Sequence, residues 1–123
     1  MRPRRRFALL LLALLAGCED SDVGDRRMLV EGDPAAGLQV MRREGCGACH
    51  LIPGLRGARG RVGPPLAGFA RRGYIAGQFP NRAPLLIRWI REAPAMTPDT
   101  AMPGFALTEG ELRDVAAYLY RLQ

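Results

Sequence analysis

Cys46-Gly47-Ala48-Cys49-His50 brings two thiols and an imidazole together within one pentapeptide, and no other part of the chain does so. Its C-x-x-C-H spacing is that of covalent haem attachment. Two cysteines three apart, at the end of a helical turn, can each form a thioether to one edge of a porphyrin, and the next residue reaches the iron. The chain has 1 histidine, so with His50 as proximal ligand a second histidine ligand is excluded. Other uses of the motif fit worse. Structural zinc needs four ligands and the cluster supplies three. A thioredoxin-like C-x-x-C needs βαβ patterning, whereas these flanks are helical, glycine-rich and proline-rich.

Methionine thioether is the natural sixth ligand, since His/Met ligation raises the reduction potential relative to harder ligands. Of the 5 methionines, Met1 belongs to a leader and Met28 to a polar stretch. Met41 reads as core filler on the helix entering the motif. Met96 and Met102 both lie in the proline-rich segment 93–104. Only Met102 is stiffened directly by a following proline and stands just before the last helix, so Met102 is preferred to Met96.

The amino terminus carries a second signal. Arg2, Arg4, Arg5 and Arg6 precede an uninterrupted apolar run over residues 7–16, the pattern of a secretory leader. The run is too short for a membrane span, which needs about 20 apolar residues. Leu15-Ala16-Gly17-Cys18 resembles a bacterial lipobox, which makes residues 1–17 a lipoprotein signal peptide and Cys18 the acylated first residue of the mature chain. An ordinary cleaved leader with an incidental Cys18 is the alternative. Cysteine arithmetic agrees with lipidation: of 3 cysteines, two go to haem, and a stray thiol in an oxidising compartment would be a liability. Localisation on the extracytoplasmic, periplasmic side of a membrane follows as an expectation.

Charge is interpreted after the leader is subtracted. The chain has 18 basic residues, all arginine, against 12 acidic ones. Loss of the four leader arginines brings the net charge near neutrality, and two haem propionates roughly cancel the rest. The high isoelectric point is therefore no argument for nucleic acid as a partner. Residues 18–33 hold Glu19, Asp20, Asp22, Asp25, Glu31 and Asp33 with few apolar residues, which reads as a flexible acidic tether with a reach of roughly 20 to 25 Å.

The remainder, 34–123, reads as one all-α domain. Asp33-Pro34 is a start signal, a capping carboxylate before a first-turn proline, for a helix running to about Glu44. Thr108-Glu109-Gly110-Glu111 is a capping box, followed by Leu112, Val115, Ala116 and Leu119 at helical spacing. Leu85, Leu86, Trp89 and Ile90 predict a short helix ending before Pro94, and a weaker turn or helix is expected over 67–75. A chain of this size builds a small core, so haem should be its largest element.

Taken in order, Gly37 and Met41, Gly45-Cys46-Gly47-Ala48-Cys49-His50, Gly63-Pro64-Pro65-Leu66, Trp89, Met102-Pro103 and Tyr118-Leu119 resemble a class I c-type cytochrome. Val62 to Leu66, the Ala-Gly-x-x-Pro-Asn stretch at 76–81 and Trp89-Ile90 are similar to the cytochrome c domain fused to the copper-bearing second subunit of some haem-copper oxidases, although no copper domain precedes them here. The resemblance implies the small class I cytochrome c fold, with its terminal helices crossing around one haem c bound through Cys46 and Cys49. Gly37 and Met41 would then lie against Val115, Tyr118 and Leu119, with Met41 where the family usually has an aromatic.

By the same resemblance, the Pro64 carbonyl accepts from the second ring nitrogen of His50, Leu66 packs against haem, and Trp89 donates to a propionate or serves as core. Arg72, Tyr74 and Asn81 are unranked propionate contacts, and Phe105 shields the Met102 side. Arg56, Arg59 and Arg61 either solvate their loop or steer an acidic partner. The function implied is electron carriage by a monomer between redox proteins of a respiratory chain, with a terminal oxidase as acceptor. The alternatives are a sensor or peroxidase with an open iron, or a fixed subunit of a larger redox complex.

Overall fold

The structure, a computed structural model, describes residues 30–123. The leader, the lipobox with Cys18 and most of the acidic tether lie outside the described residues. Three α-helices carry the fold: α1 (Pro34–Arg43), α2 (Ala83–Met96) and α3 (Glu109–Leu119). Short 3₁₀ turns occupy Cys46–Ala48 and Phe69–Arg71, and two short strands, β1 (Tyr74–Ile75) and β2 (Phe79–Pro80), pair antiparallel. No described helix is long and apolar enough to cross a membrane.

Local chemistry sets the helix ends as the caps require. Asp33 accepts from the backbone N–H of Ala35 at the start of α1, with Pro34 in the first turn. At the start of α3, Thr108 Oγ1 accepts from Glu111 N, and Glu111 Oε2 accepts from Thr108 N at 2.9 Å. The other Glu111 oxygen accepts from Arg43 Nη2 at 2.8 Å, so one carboxylate ties the start of α3 to the end of α1. The Thr108 backbone N–H, then Arg43 and the Thr108 hydroxyl, hold Glu111 below the usual carboxylate range. A depressed folded value stabilises the fold above the ordinary glutamate pKa of about 4.3. That contribution is lost as pH falls through the lowered value. Glu111→Gln is therefore expected to flatten the acid limb of a stability-against-pH curve between about pH 5 and 3, read by denaturant melts. The exposed position keeps the effect small.

Helices α1 and α3 cross at Gly37. A Cβ there would lie 2.0 Å from the Asp114 carbonyl oxygen, so only glycine admits this backbone approach. Asp33 N also donates to Asp114 Oδ1 at 2.7 Å. Around the crossing, Val40, Met41, Leu112, Val115, Ala116 and Leu119 are buried and merge with Leu66, Phe69, Leu86, Trp89 and Ile90 into one core cluster.

Two elements depart from expectation. Helix α2 does break before Pro94, at Glu92 with φ −145° and ψ 41°, but the chain then resumes helix through Met96, which was not expected. Pro94 falls in the first turn of the resumed piece, where an N–H is not needed. The 67–75 stretch is helical only over Phe69–Arg71, and Tyr74–Ile75 turns into a small hairpin. Ala76 and Gly77 have φ of 50° and 69°, and Gln78 N donates to Ile75 O at 3.0 Å. Positive φ at both central positions matches the twist of a tight hairpin. An alanine in that role gives little signal in sequence.

Asn81 is buried at 1% exposure and fully engaged. Its Nδ2 donates to the carbonyls of Phe69 and Arg72, at 3.1 and 2.9 Å, and its Oδ1 accepts from Tyr120 OH at 3.0 Å. The pair locks the end of α3 to the segment that leads into the hairpin, reinforced by Ala70 N donating to Leu122 O. Tyr120→Phe is expected to cost about 1 to 3 kcal/mol in urea unfolding, because a buried acceptor loses its phenol.

Candidate functional site

The core cluster encloses a cavity of about 360 Å³, within the usual range for ligand pockets. Cys46, Cys49 and His50 line it from the motif, Gly63, Pro64 and Leu66 from the next loop, Leu86, Trp89 and Ile90 from α2, and Met102, Pro103 and Phe105 from the segment before α3. Met41, Val115 and Leu119 complete it from the terminal helices. The walls are mostly apolar, with two thiols and an imidazole together on one segment.

The motif is held by its own turn. Gly45 opens the 3₁₀ turn Cys46–Ala48, and the N–H groups of both Cys49 and His50 donate to the Cys46 carbonyl, at 3.2 and 3.0 Å. Burial pushes the Cys46 thiol above its ordinary value, partly offset by a backbone hydrogen bond. His50 Nδ1 lies 2.8 Å from the Pro64 carbonyl oxygen. A carbonyl can only accept, so Nδ1 carries the hydrogen, and in the neutral ring the lone pair is left on Nε2. The loop that brings Pro64 is pinned in turn: Gly63 N donates to Cys49 O and Leu66 N to Leu51 O, each at 2.8 Å. A Cβ on Gly63 would lie 2.2 Å from His50 Cε1, so the imidazole rests directly against that backbone.

The second methionine candidate separates from the first. Met102 lines the cavity, whereas Met96 packs against the core away from it. Met102 N–H donates to Thr100 Oγ1 at 3.2 Å, and Thr100 N to Thr97 O at 3.1 Å, a local turn that the Thr-Ala-Met spacing could have signalled. Trp89 is buried on the cavity wall with its ring centroid 5.9 Å from that of Phe79.

Of the three unranked polar candidates, Arg72 and Tyr74 line the cavity and Asn81 does not, because its side chain is spent on the Tyr120 lock. Arg72 donates to the Pro65 and Ala67 carbonyls and stands 5.6 Å from the Phe69 ring centroid, which fixes a positive charge beside the cavity. Arg56, Arg59 and Arg61 are exposed and lie outside its lining. Val62 and Ala76, which the sequence offered only as parts of resembling stretches, line it as well, together with Ile75.

Residues 34–123 match the family described as Cytochrome c. The chain belongs to the cytochrome c family. Family membership carries one haem c, attached covalently through Cys46 and Cys49, with haem-based electron transfer as its work. The residues present fit that group: an apolar cavity has two thiols and the His50 imidazole, its Nδ1 turned to the Pro64 carbonyl, together on one side of its lining. Among solved structures, cytochrome c2 from Rhodobacter sphaeroides has a similar fold, with a TM-score of 0.52 and 20% identity, over 75% of this chain and 97% of that one. A comparison with curated proteins finds no match. The cytochrome c fold accounts for the helix order and for the cavity between the terminal helices and α2.

Proposed function

We propose that this cytochrome is a one-electron carrier with His50 and Met102 as axial ligands, working outside the cytoplasm on a lipid tether at Cys18 and delivering electrons to a terminal oxidase. The observation that carries the reading is that one cavity is lined by both cysteines, His50 and Met102, while Met96 is elsewhere. Bound haem c supplies Fe(III)/Fe(II) exchange.

The chain's own contribution is positioning and exclusion. Pro64, by accepting from His50 Nδ1, orients the ring and keeps it electron-rich. Leu66, Leu86, Ile90 and Phe105 keep water from the cavity, which favours the less charged reduced state. The fixed Arg72 guanidinium favours it further. No second histidine exists to act as a distal acid or base, which speaks for carriage over peroxide chemistry.

The test is optical. Oxidised wild type is expected to show the weak sulfur-to-iron charge-transfer band, and reduced wild type to ignore carbon monoxide. Met102→Leu is expected to lose the band and bind the gas. Ready binding by wild type would mean an open iron and a ligand-sensing role. The tether is tested separately: Cys18→Ser protein that restores full electron flow at equal concentration would make the anchor dispensable.

A further inference from the structure

The break in α2 has a hydrogen-bonding logic that reaches the Met102 loop. In a continuous helix the Ile90 carbonyl would meet the N–H of residue 94, but Pro94 has none. In this structure the Ile90 carbonyl accepts from Phe105 N at 3.2 Å, across the loop that holds Met102. The two backbones meet so closely at this seam that a Cβ on Gly104 would lie 2.6 Å from the Arg91 carbonyl oxygen. Glu92 supplies the break itself, with its non-helical φ and ψ. Met102 and Phe105 both line the cavity on the near side of the seam.

We infer that Pro94 is a positioning residue for Met102: by withholding a donor from the Ile90 carbonyl, it reserves that carbonyl for Phe105 and so pins the end of the Met102 loop. An N–H at position 94 would be a local competitor needing no loop closure, whereas Phe105 reaches Ile90 only by ordering the whole intervening segment. A residue that repaired α2 would therefore loosen the loop. The inference rests on Met102 as the axial ligand, and its expected signature is unusual: improved helix, poorer ligation.

Holoproteins of wild type, Pro94→Ala, Gly104→Ala and Met102→Leu are compared by the oxidised charge-transfer band, carbon monoxide binding in the reduced state, far-UV circular dichroism and amide exchange at Phe105. Pro94→Ala is expected to keep or gain helical signal, to exchange the Phe105 amide at least tenfold faster, to weaken the band and to admit carbon monoxide. Gly104→Ala, which forces the same seam apart from the other side, is expected to show the same spectral losses. Pro94→Ala with band, gas exclusion and Phe105 protection intact overturns the inference, whatever Gly104→Ala does. Wild type lacking the band overturns the Met102 reading, and the inference with it.

Discussion

Gly37→Ala is expected to lower the melting temperature of the holoprotein by about 10 °C or more, corresponding to roughly 2 kcal/mol or more in a domain this small. The added methyl would sit 2.0 Å from the Asp114 carbonyl oxygen. A backbone carbonyl in a helix cannot swing aside as a flexible side chain does, so α1 and α3 must separate. Separation uncovers Val40, Met41, Val115 and Ala116, and it pulls on the Asp33 to Asp114 hydrogen bond. Gly110→Ala is the matched control. Its Cβ would meet nothing nearer than Thr108 Oγ1 at 4.0 Å, and alanine in a helix is favoured over glycine by roughly 0.5 to 1 kcal/mol. Opposite signs for the two substitutions, read by thermal melts, test the close crossing itself. A Gly37→Ala protein as stable as wild type would refute it.

Gly63→Ala should have the largest effect on the site. Its methyl would stand 2.2 Å from Cε1 and 2.6 Å from Nδ1 of His50. Either the imidazole turns, giving up the Pro64 carbonyl, or the loop retreats, giving up the Gly63 to Cys49 hydrogen bond. Loss of such an outer partner typically costs 10- to 100-fold in hold on a metal. The expected result is a holoprotein with both thioethers intact and a displaced reduction potential, in which added imidazole competes for the iron. Pro64→Ala, which keeps a carbonyl at that position, is expected to shift the potential much less. An unshifted potential in Gly63→Ala would remove the backbone's role in orienting His50.

What was legible in the sequence was what local chemistry determines. Asp33-Pro34 and the Thr108 to Glu111 box act within four residues, and both caps form as read. The five-residue haem motif is equally local, and the terminal-helix crossing came through the family resemblance. Asn81 could not be ranked among the three propionate candidates because the partners that take up its side chain, Phe69, Arg72 and Tyr120, are 9 to 39 residues away. Pro94 announced the end of a helix but could not announce that the chain would resume it, since that depends on Phe105 taking the abandoned carbonyl. The Ala76-Gly77 turn escaped notice because alanine seldom adopts positive φ.

The described chain begins and ends at one place: Val30 and Gln123 line the same surface recess. A short linker could therefore join them, with new ends opened in the exposed loop around Arg56 and Arg59. In such a circular permutant α1 would follow α3 directly, and a contact now bridging about 75 residues would become a local helical hairpin. The closure entropy saved is about 1 kcal/mol on the simple logarithmic estimate, because the hairpin still closes a loop of roughly 20 residues in place of roughly 75. The native connectivity thus makes the first helix wait for the last, and everything that surrounds the cofactor is threaded through the interval.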